Sequence, residues 1–267
     1  MRHRETEPWR GSIAKEPDGT ADSTFAAAVS RARNVDFRFR QSSEITYFRT
    51  MVQTSDASAT IRDYQASIET CRKAFNDINN EPTPRGATPA AFMGNQSGPA
   101  DWEPSAYRIF NDWGAAVLKQ LSEQKRNGTL AGTFGSQASF DTFHRELVSS
   151  LDAFWLARAH PDFPASRSQL HKLVNLFVKW LRTKVPAEIR PRIEEQAHTT
   201  LNTPTLARVA ALLDDQALRF PANEDFDGWY ADTQARIRAF TVEHGGSPII
   251  VDVWSRQSYL GNPDEDA

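Results

Sequence analysis

The sequence predicts a mainly α-helical protein that forms a single globular domain of several helices, with at most one or two short strands. Three observations indicate this class. The chain has 267 residues, 39% of them hydrophobic and 10% aromatic, which is enough to bury a large core. Apolar residues recur at spacings of three and four along much of the chain, as in amphipathic helices. Prolines and glycines separate these periodic stretches.

Composition changes along the chain predict three parts. Residues 1–22 mix charges with prolines and glycines and show no periodicity, which predicts a flexible arm. Residues 23–254 form the predicted helical domain, and residues 255–267 form an acidic C-terminal tail. Within the domain, residues 79–104 contain five prolines and three glycines, which predicts a long loop.

The order of elements follows from the periodicity. A helix is predicted at 25–33, and alternating apolar and charged residues at 35–40 indicate a half-buried strand. Further helices are predicted at 58–79, 105–126, 139–159, 165–185, 204–218 and 226–242. The apolar run at 248–254 predicts a short buried strand or an extended segment that crosses the helices.

The predicted helix at 165–185 carries an unusual polar arc. At 100° per residue, its apolar side chains share one broad face, and the polar ones fall opposite them. Residues 158–192 hold eight lysines and arginines against two acids, whereas residues 194–267 hold five arginines against 13 acids. We therefore take the basic face at 167–184 as the candidate binding site, with five candidate residues: His171, Lys172, Asn175, Lys179 and Arg182.

The first functional hypothesis is association with nucleic acid. Lysine and arginine side chains supply the sequence-independent part of nucleic-acid affinity, so the basic face could contact a phosphate backbone. The net charge of the whole chain is −3, so any such binding must be local. This hypothesis expects the face to be exposed and unpaired.

Two alternatives remain open. The protein could be an interaction module whose basic segment docks on an acidic partner surface or on its own acidic C-terminal part. This alternative expects Lys172 or Lys179 to pair with carboxylates such as Asp214, Asp215 or Asp232. The protein could instead be an enzyme acting on a small anionic substrate, with the lysines as charge stabilisers and Asn175 as an orienting donor. No catalytic residue is assigned from the sequence, nor is an oligomeric state.

The histidines and the single cysteine limit the other chemistries. The six histidines include no pair at the three- or four-residue spacing that places two metal ligands on one helix face, so no metal site is predicted. His144 could act as an acid–base group or be a surface or half-buried histidine. Nothing in the sequence points to a cofactor. No apolar run approaches the roughly 20 residues of a membrane span, and with one cysteine we expect a cytoplasmic protein without a membrane partner.

Three short stretches also carry a family resemblance. They are Lys172-x-x-Asn175-x-x-x-Lys179-Trp180-Leu181, Leu201-Asn-Thr-Pro-Thr-Leu206, and Phe226-x-x-Trp229-Tyr230-x-x-x-Gln234-x-x-Ile237-Arg238. Together, within residues 140–240, they resemble a family of uncharacterised bacterial all-α proteins. The chain departs from that family in the second stretch, where Asn202 stands near the family's aspartate. The resemblance implies an all-α fold and an inward or pocket-facing role for Lys172, Asn175 and Lys179, and it implies no activity.

Overall fold

The computed structural model describes residues 56–78, 104–162, 164–221 and 225–260. The predicted arm at 1–22, the helix at 25–33, the strand at 35–40 and nearly all of the loop at 79–104 lie outside these residues. None of the described helices is both long and apolar enough to cross a lipid bilayer.

Within these ranges the chain is helical and contains no strand, which confirms the mainly α class. Five predicted helices, those at 58–79, 105–126, 139–159, 165–185 and 226–242, are present with ends shifted by a few residues, and the helix predicted at 204–218 ends earlier. The helices of the described part are α1 (Ala57–Ile78), α2 (Ala106–Arg126), α3 (Leu130–Thr133), α4 (Gln137–Leu156), α5 (Arg167–Leu181), α6 (Arg190–Gln196), α7 (Thr203–Leu212), α8 (Phe226–His244) and α9 (Pro248–Leu260).

Short polar side chains mark where most of the longer helices begin. Each of these side chains accepts a hydrogen bond from a backbone N–H three residues later, which satisfies a donor that the first helical turn leaves without a partner. The capping residues are Ser105 for α2, Ser136 for α4, Ser166 for α5, Asn202 for α7 and Asp225 for α8. The helix boundaries are therefore largely local properties of the sequence.

The prediction of a strand or extended segment at 248–254 is wrong, because these residues form the first part of α9. Pro248 occupies the start of the helix, where its missing N–H costs nothing. All residues from 247 to 255 are buried, so this first part of α9 shows no amphipathic period. A continuous apolar run of this length does not distinguish a buried strand from a buried helix. The helix also continues to Leu260, beyond the predicted end of the domain at residue 254.

One hydrophobic core joins the helices. Helix α4 packs between α2 and α5, while α9 contacts α1, α6, α7 and α8. Where α2 meets α5, Trp113 lies edge-on to Phe177 with ring centroids 4.9 Å apart. Fully burying a side chain such as Phe177 contributes about 2–3 kcal/mol. Helix α5 contacts α4, α6 and α8, so side chains on several of its faces lie inside the protein.

The turn between α8 and α9 depends on two glycines. Gly245 and Gly246 have φ values of +90° and +84°, a conformation that side chains other than glycine disfavour. The Tyr64 hydroxyl of α1 donates a hydrogen bond to the Gly245 carbonyl at 2.9 Å. A Cβ atom added at Gly246 would overlap the Tyr64 hydroxyl. The turn therefore holds α1 against the start of α9.

We expect Gly246→Ala to lower the free energy of unfolding by about 2 kcal/mol, because it combines backbone strain with the overlap on Tyr64. Urea denaturation measures this change. Gly132→Ala is the matched control, since Gly132 has no atom within 4 Å of an added Cβ and no positive φ. The control is expected to be neutral or slightly stabilising. Equal losses in the two variants would contradict the strained turn.

Candidate functional site

The candidate site forms around the extended segment at residues 197–202, which joins α6 to α7 through the protein interior. Its backbone polar groups are satisfied by side chains. The Thr199 N–H donates to Gln234 Oε1 at 3.0 Å, and Gln234 Nε2 donates to the Thr199 carbonyl at 2.8 Å. The Thr200 N–H donates to Asp252 Oδ1 at 3.1 Å. These bonds from α8 and α9 fix His198 in the core.

Three histidines and a tyrosine meet beside this segment. His144 comes from α4, His171 from α5 and Tyr230 from α8. The ring centroids of His144 and His198 are 4.2 Å apart, those of His144 and His171 are 5.5 Å apart, and those of His171 and Tyr230 are 4.0 Å apart. Their exposed fractions are only 1% to 6%. We call His144, His171, His198 and Tyr230 the histidine cluster.

Asn175 connects the members of the cluster. Its Nδ2 group donates to the Tyr230 hydroxyl at 2.8 Å and to the Thr199 carbonyl at 3.3 Å. Its Oδ1 atom lies 2.9 Å from His144 Nε2 and accepts the proton of that ring. Because all of these groups are buried, losing Asn175 would leave several polar atoms without partners.

The other two histidines each contact a carboxylate. His171 Nε2 lies 2.9 Å from Asp227 Oδ1, and His198 Nε2 lies 2.9 Å from Asp141 Oδ1. Ionised carboxylates only accept hydrogen bonds, so Nε2 carries the proton in both rings and Nδ1 keeps a lone pair when the ring is neutral. Both Nδ1 atoms are buried, and neither has a hydrogen-bond partner among the described residues.

Burial keeps the rings of the histidine cluster neutral at pH 7. It lowers the pKa of His171 to about 4, although the neighbouring Asp227 carboxylate opposes the shift. Burial also lowers the pKa of His198, and it lowers that of His144 further, with the other two rings adding to the effect. The contacts to Asp227 and Asp141 are therefore hydrogen bonds from neutral rings rather than ion pairs.

An arginine holds each of the two carboxylates. Arg167 Nε donates to Asp227 Oδ1 at 3.2 Å, and Arg238 Nη2 donates to Asp141 Oδ2 at 3.2 Å. Burial favours a higher pKa for both acids, but the hydrogen bonds that they accept, with these arginines nearby, lower the pKa of each below its ordinary value. Both acids are thus ionised, which fixes the tautomers of the attached histidines.

The structure places the five candidate residues of the basic face in different surroundings. His171 and Asn175 belong to the cluster region. The Lys179 side chain is 12% exposed, and it donates to Thr200 Oγ1 at 2.7 Å and to the Asp252 carboxylate. Arg182 donates to Asn76 Oδ1 at 2.6 Å and pairs with Glu194 at 3.4 Å. Lys172 is half-buried, and burial together with nearby Arg256 lowers its pKa.

The placement differs from an exposed and unpaired basic face. The apolar arc of α5 packs into the core, His171 and Asn175 on the polar arc are buried as well, and only 12% of the Lys179 side chain is exposed. Lys179 pairs with Asp252 rather than with the expected Asp214, Asp215 or Asp232. Nucleic-acid binding through this face stays a prediction.

Several members of the site were not predicted from the sequence. Asp141, His198 and Asp227 lie on three different segments and show no spacing that relates them. Tyr230 lies within one of the three stretches that carry the family resemblance. His144 is an acid–base candidate in the sequence, and the alternative of a surface or half-buried histidine is wrong, because it is 1% exposed. No local signal marks His198, which lies among Gln196, Ala197 and two threonines.

Among the described residues, no group of three or more histidine, cysteine, aspartate or glutamate side chains has the geometry to hold a metal ion. No protein-family model, curated protein or solved structure matches this chain. The resemblance within residues 140–240 stays an expectation. The chemistry of the histidine cluster is therefore inferred from its own geometry.

Proposed function

We propose that this protein is an enzyme that acts on a small molecule by acid–base chemistry at the histidine cluster. His171 is the proton acceptor and His198 is a second basic group. The observation that carries the proposal is the pair of buried Nδ1 lone pairs on these two rings, neither of which has a hydrogen-bond partner in the described part of the chain.

The energetic cost of this arrangement supports a functional role. A buried polar atom without a partner costs about 1–3 kcal/mol, and an apolar side chain of similar size would avoid that cost. Clusters of titratable groups with shifted pKa values are concentrated at active sites. A substrate that donates a hydrogen bond to the free Nδ1 atom of His171 would satisfy it.

Each neighbour then has a defined task at the site. The Asp227 carboxylate holds the Nε2 proton of His171, so Nδ1 is the atom that accepts a proton from substrate. The ring that results is an imidazolium, which the ionised Asp227 stabilises. Arg167 keeps that carboxylate ionised and in position. The Asp227 side chain is 50% exposed, so this pair of residues lies closer to solvent than His144 does.

The contacts give less support to the two alternatives, an enzyme for an anionic substrate and an interaction module. An anionic substrate stabilised by lysines would need the Lys179 ammonium, which is already bound to Asp252 and Thr200. Arg182 is likewise bound to Asn76 and Glu194. Within the chain, Arg167 of the basic segment pairs with Asp227 and Lys179 pairs with Asp252, and docking on a separate partner stays a prediction.

The test measures turnover. Purified protein is assayed with 4-nitrophenyl esters, phosphates and glycosides. We expect turnover on at least one of these substrate classes, and a fall in kcat/KM of about 100-fold or more in His171→Gln.

His160→Gln is the matched control, because His160 is a half-exposed histidine outside the cluster. It should leave kcat/KM within about twofold, since general acid–base catalysis is assigned to other residues. Absence of turnover on every substrate class would overturn the proposal. Equal turnover in His171→Gln and the parent protein would do so as well.

A further inference from the structure

A group of half-exposed aromatic side chains borders the histidine cluster. Phe220 precedes α8, and Phe226 and Trp229 lie in its first turn. The ring centroid of Trp229 is 5.3 Å from that of Phe220 and 5.3 Å from that of Phe226. We call Phe220, Phe226 and Trp229 the aromatic patch. Half-exposed aromatic residues that adjoin buried polar groups are typical of ligand sites.

The aromatic patch leads directly to the proposed proton acceptor. The Phe226 ring lies 5.4 Å from His171 and 6.1 Å from Tyr230, measured between centroids. Phe220 and Phe226 are nearly parallel at 14°, Phe226 and Tyr230 at 21°, and Tyr230 and His144 at 12°. A row of similarly oriented rings thus runs from the half-exposed patch to the buried histidines. A flat group placed against this row would stack on it.

The charges beside the aromatic patch favour a cation. Asp225 and Asp227 flank Phe226 in the sequence, and both are exposed. Asp152 lies 3.3 Å from Arg167, which also pairs with Asp227. Arg219 is adjacent to Phe220 in the sequence. Among these described residues, three carboxylates accompany two guanidinium groups, and the faces of aromatic rings themselves attract positive charge.

We propose that the aromatic patch binds the substrate of the histidine cluster, and that this substrate carries a flat, positively charged aromatic group. The inference rests on the proposed function for the identity of the reacting site, but it concerns the chemical class of the ligand. The ring of the ligand would contact Trp229 and Phe226, and its charge would lie near the exposed Asp225 and Asp227.

Three small probes test this class of ligand. Benzamidine is aromatic and cationic, benzoate is aromatic and anionic, and methylguanidine is cationic without a ring. Their binding to the full chain is measured through the indole N–H resonance of Trp229 and by calorimetry. We expect benzamidine to bind about tenfold more tightly than the other two, because only benzamidine combines stacking with cation–π attraction.

Variants locate the binding. Trp229→Leu and Phe220→Leu should each weaken benzamidine binding by about fivefold or more. Trp180→Leu is the matched control, because Trp180 is a half-buried tryptophan that contacts Phe177 and Lys184 elsewhere. It should leave the affinity for benzamidine unchanged. Two patch variants are used so that a folding defect in one does not decide the result.

The outcomes separate this inference from the proposed function. Benzamidine binding that survives in both patch variants, or benzoate binding that is as tight as benzamidine binding, would overturn the inference while leaving the His171→Gln result intact. If benzamidine binds at the patch and His171→Gln keeps full turnover, the ligand class stands and the catalytic role of His171 does not.

Discussion

Replacing Asp252 with asparagine is expected to lower the free energy of unfolding by about 3–5 kcal/mol. The Asp252 carboxylate is almost fully buried and binds the ammonium of Lys179, whose side chain is also largely buried. Burial lowers the pKa of Lys179 to about 8 against the opposing effect of Asp252, so the lysine remains charged at pH 7. Asparagine would therefore leave a buried charge without its counter-ion. Equilibrium urea denaturation at pH 7 measures the loss.

Asparagine is chosen because its Oδ1 atom still accepts the hydrogen bond from the Thr200 N–H, so the loss reports on the charge. The double variant Lys179→Met with Asp252→Asn should recover at least half of the lost stability, because it removes both charges. Arg126→Ala is the surface control, since its pair with Glu123 is exposed and contributes about 0–1 kcal/mol. A loss below about 1 kcal/mol in Asp252→Asn would show that the pair is not buried as described.

Acidification from pH 7 to pH 4 is expected to destabilise the fold through the histidine cluster. In the unfolded chain a histidine binds a proton near pH 6.5, whereas native His171 binds one only near pH 4. The unfolded state therefore holds more protons between these values, and stability falls as the pH falls. The difference corresponds to about 3 kcal/mol for His171 alone. Urea denaturation at several pH values measures it.

The charged groups around the cluster shift the pKa values of the histidines in both directions. Arg167 opposes a proton on His171, and Arg238 opposes one on His144 and His198. Asp227 and Asp141 favour protonation of their partner rings, but burial outweighs them. Both acids have lowered pKa values, so their own loss of stability falls in a separate range below about pH 4.

Variants identify which groups cause the pH dependence. His171→Gln should remove about 3 kcal/mol of the stability change between pH 7 and pH 4, because the group that titrates is gone. His160→Gln, outside the cluster, should retain the full dependence. The prediction fails if His171→Gln and the parent protein lose the same free energy of unfolding over this range.

The helices themselves could be predicted from local sequence. In α1, Tyr64, Cys71 and Phe75 lie on one buried face, as their spacing indicated. The starts of α2 and α5 follow from Ser105 and Ser166, whose side chains accept bonds only three residues away. Helix periodicity and capping depend on near neighbours in the chain, so the sequence carries them directly.

The secondary structure of the segment at 248–254 could not be predicted from its local sequence. Its β-branched residues and continuous burial suit a strand as well as a helix, and only its position among α1, α6, α7 and α8 decided the outcome. In the same way, the polar arc of α5 was expected to contrast with its apolar face. His171 and Asn175 on that arc are interior because α4 and α8 both pack against α5.

Local sequence patterns account for the helical class, most helix boundaries and the concentration of positive charge around α5. The packing of the helices accounts for the bond of His144 to Asn175, 31 residues away, and for that of Arg238 to Asp141 across 97 residues. Contacts over such separations leave no periodic signal in the chain, because each depends on how whole helices pack. The candidate site is made of these contacts, whereas the helices that position it follow from interactions between neighbouring residues.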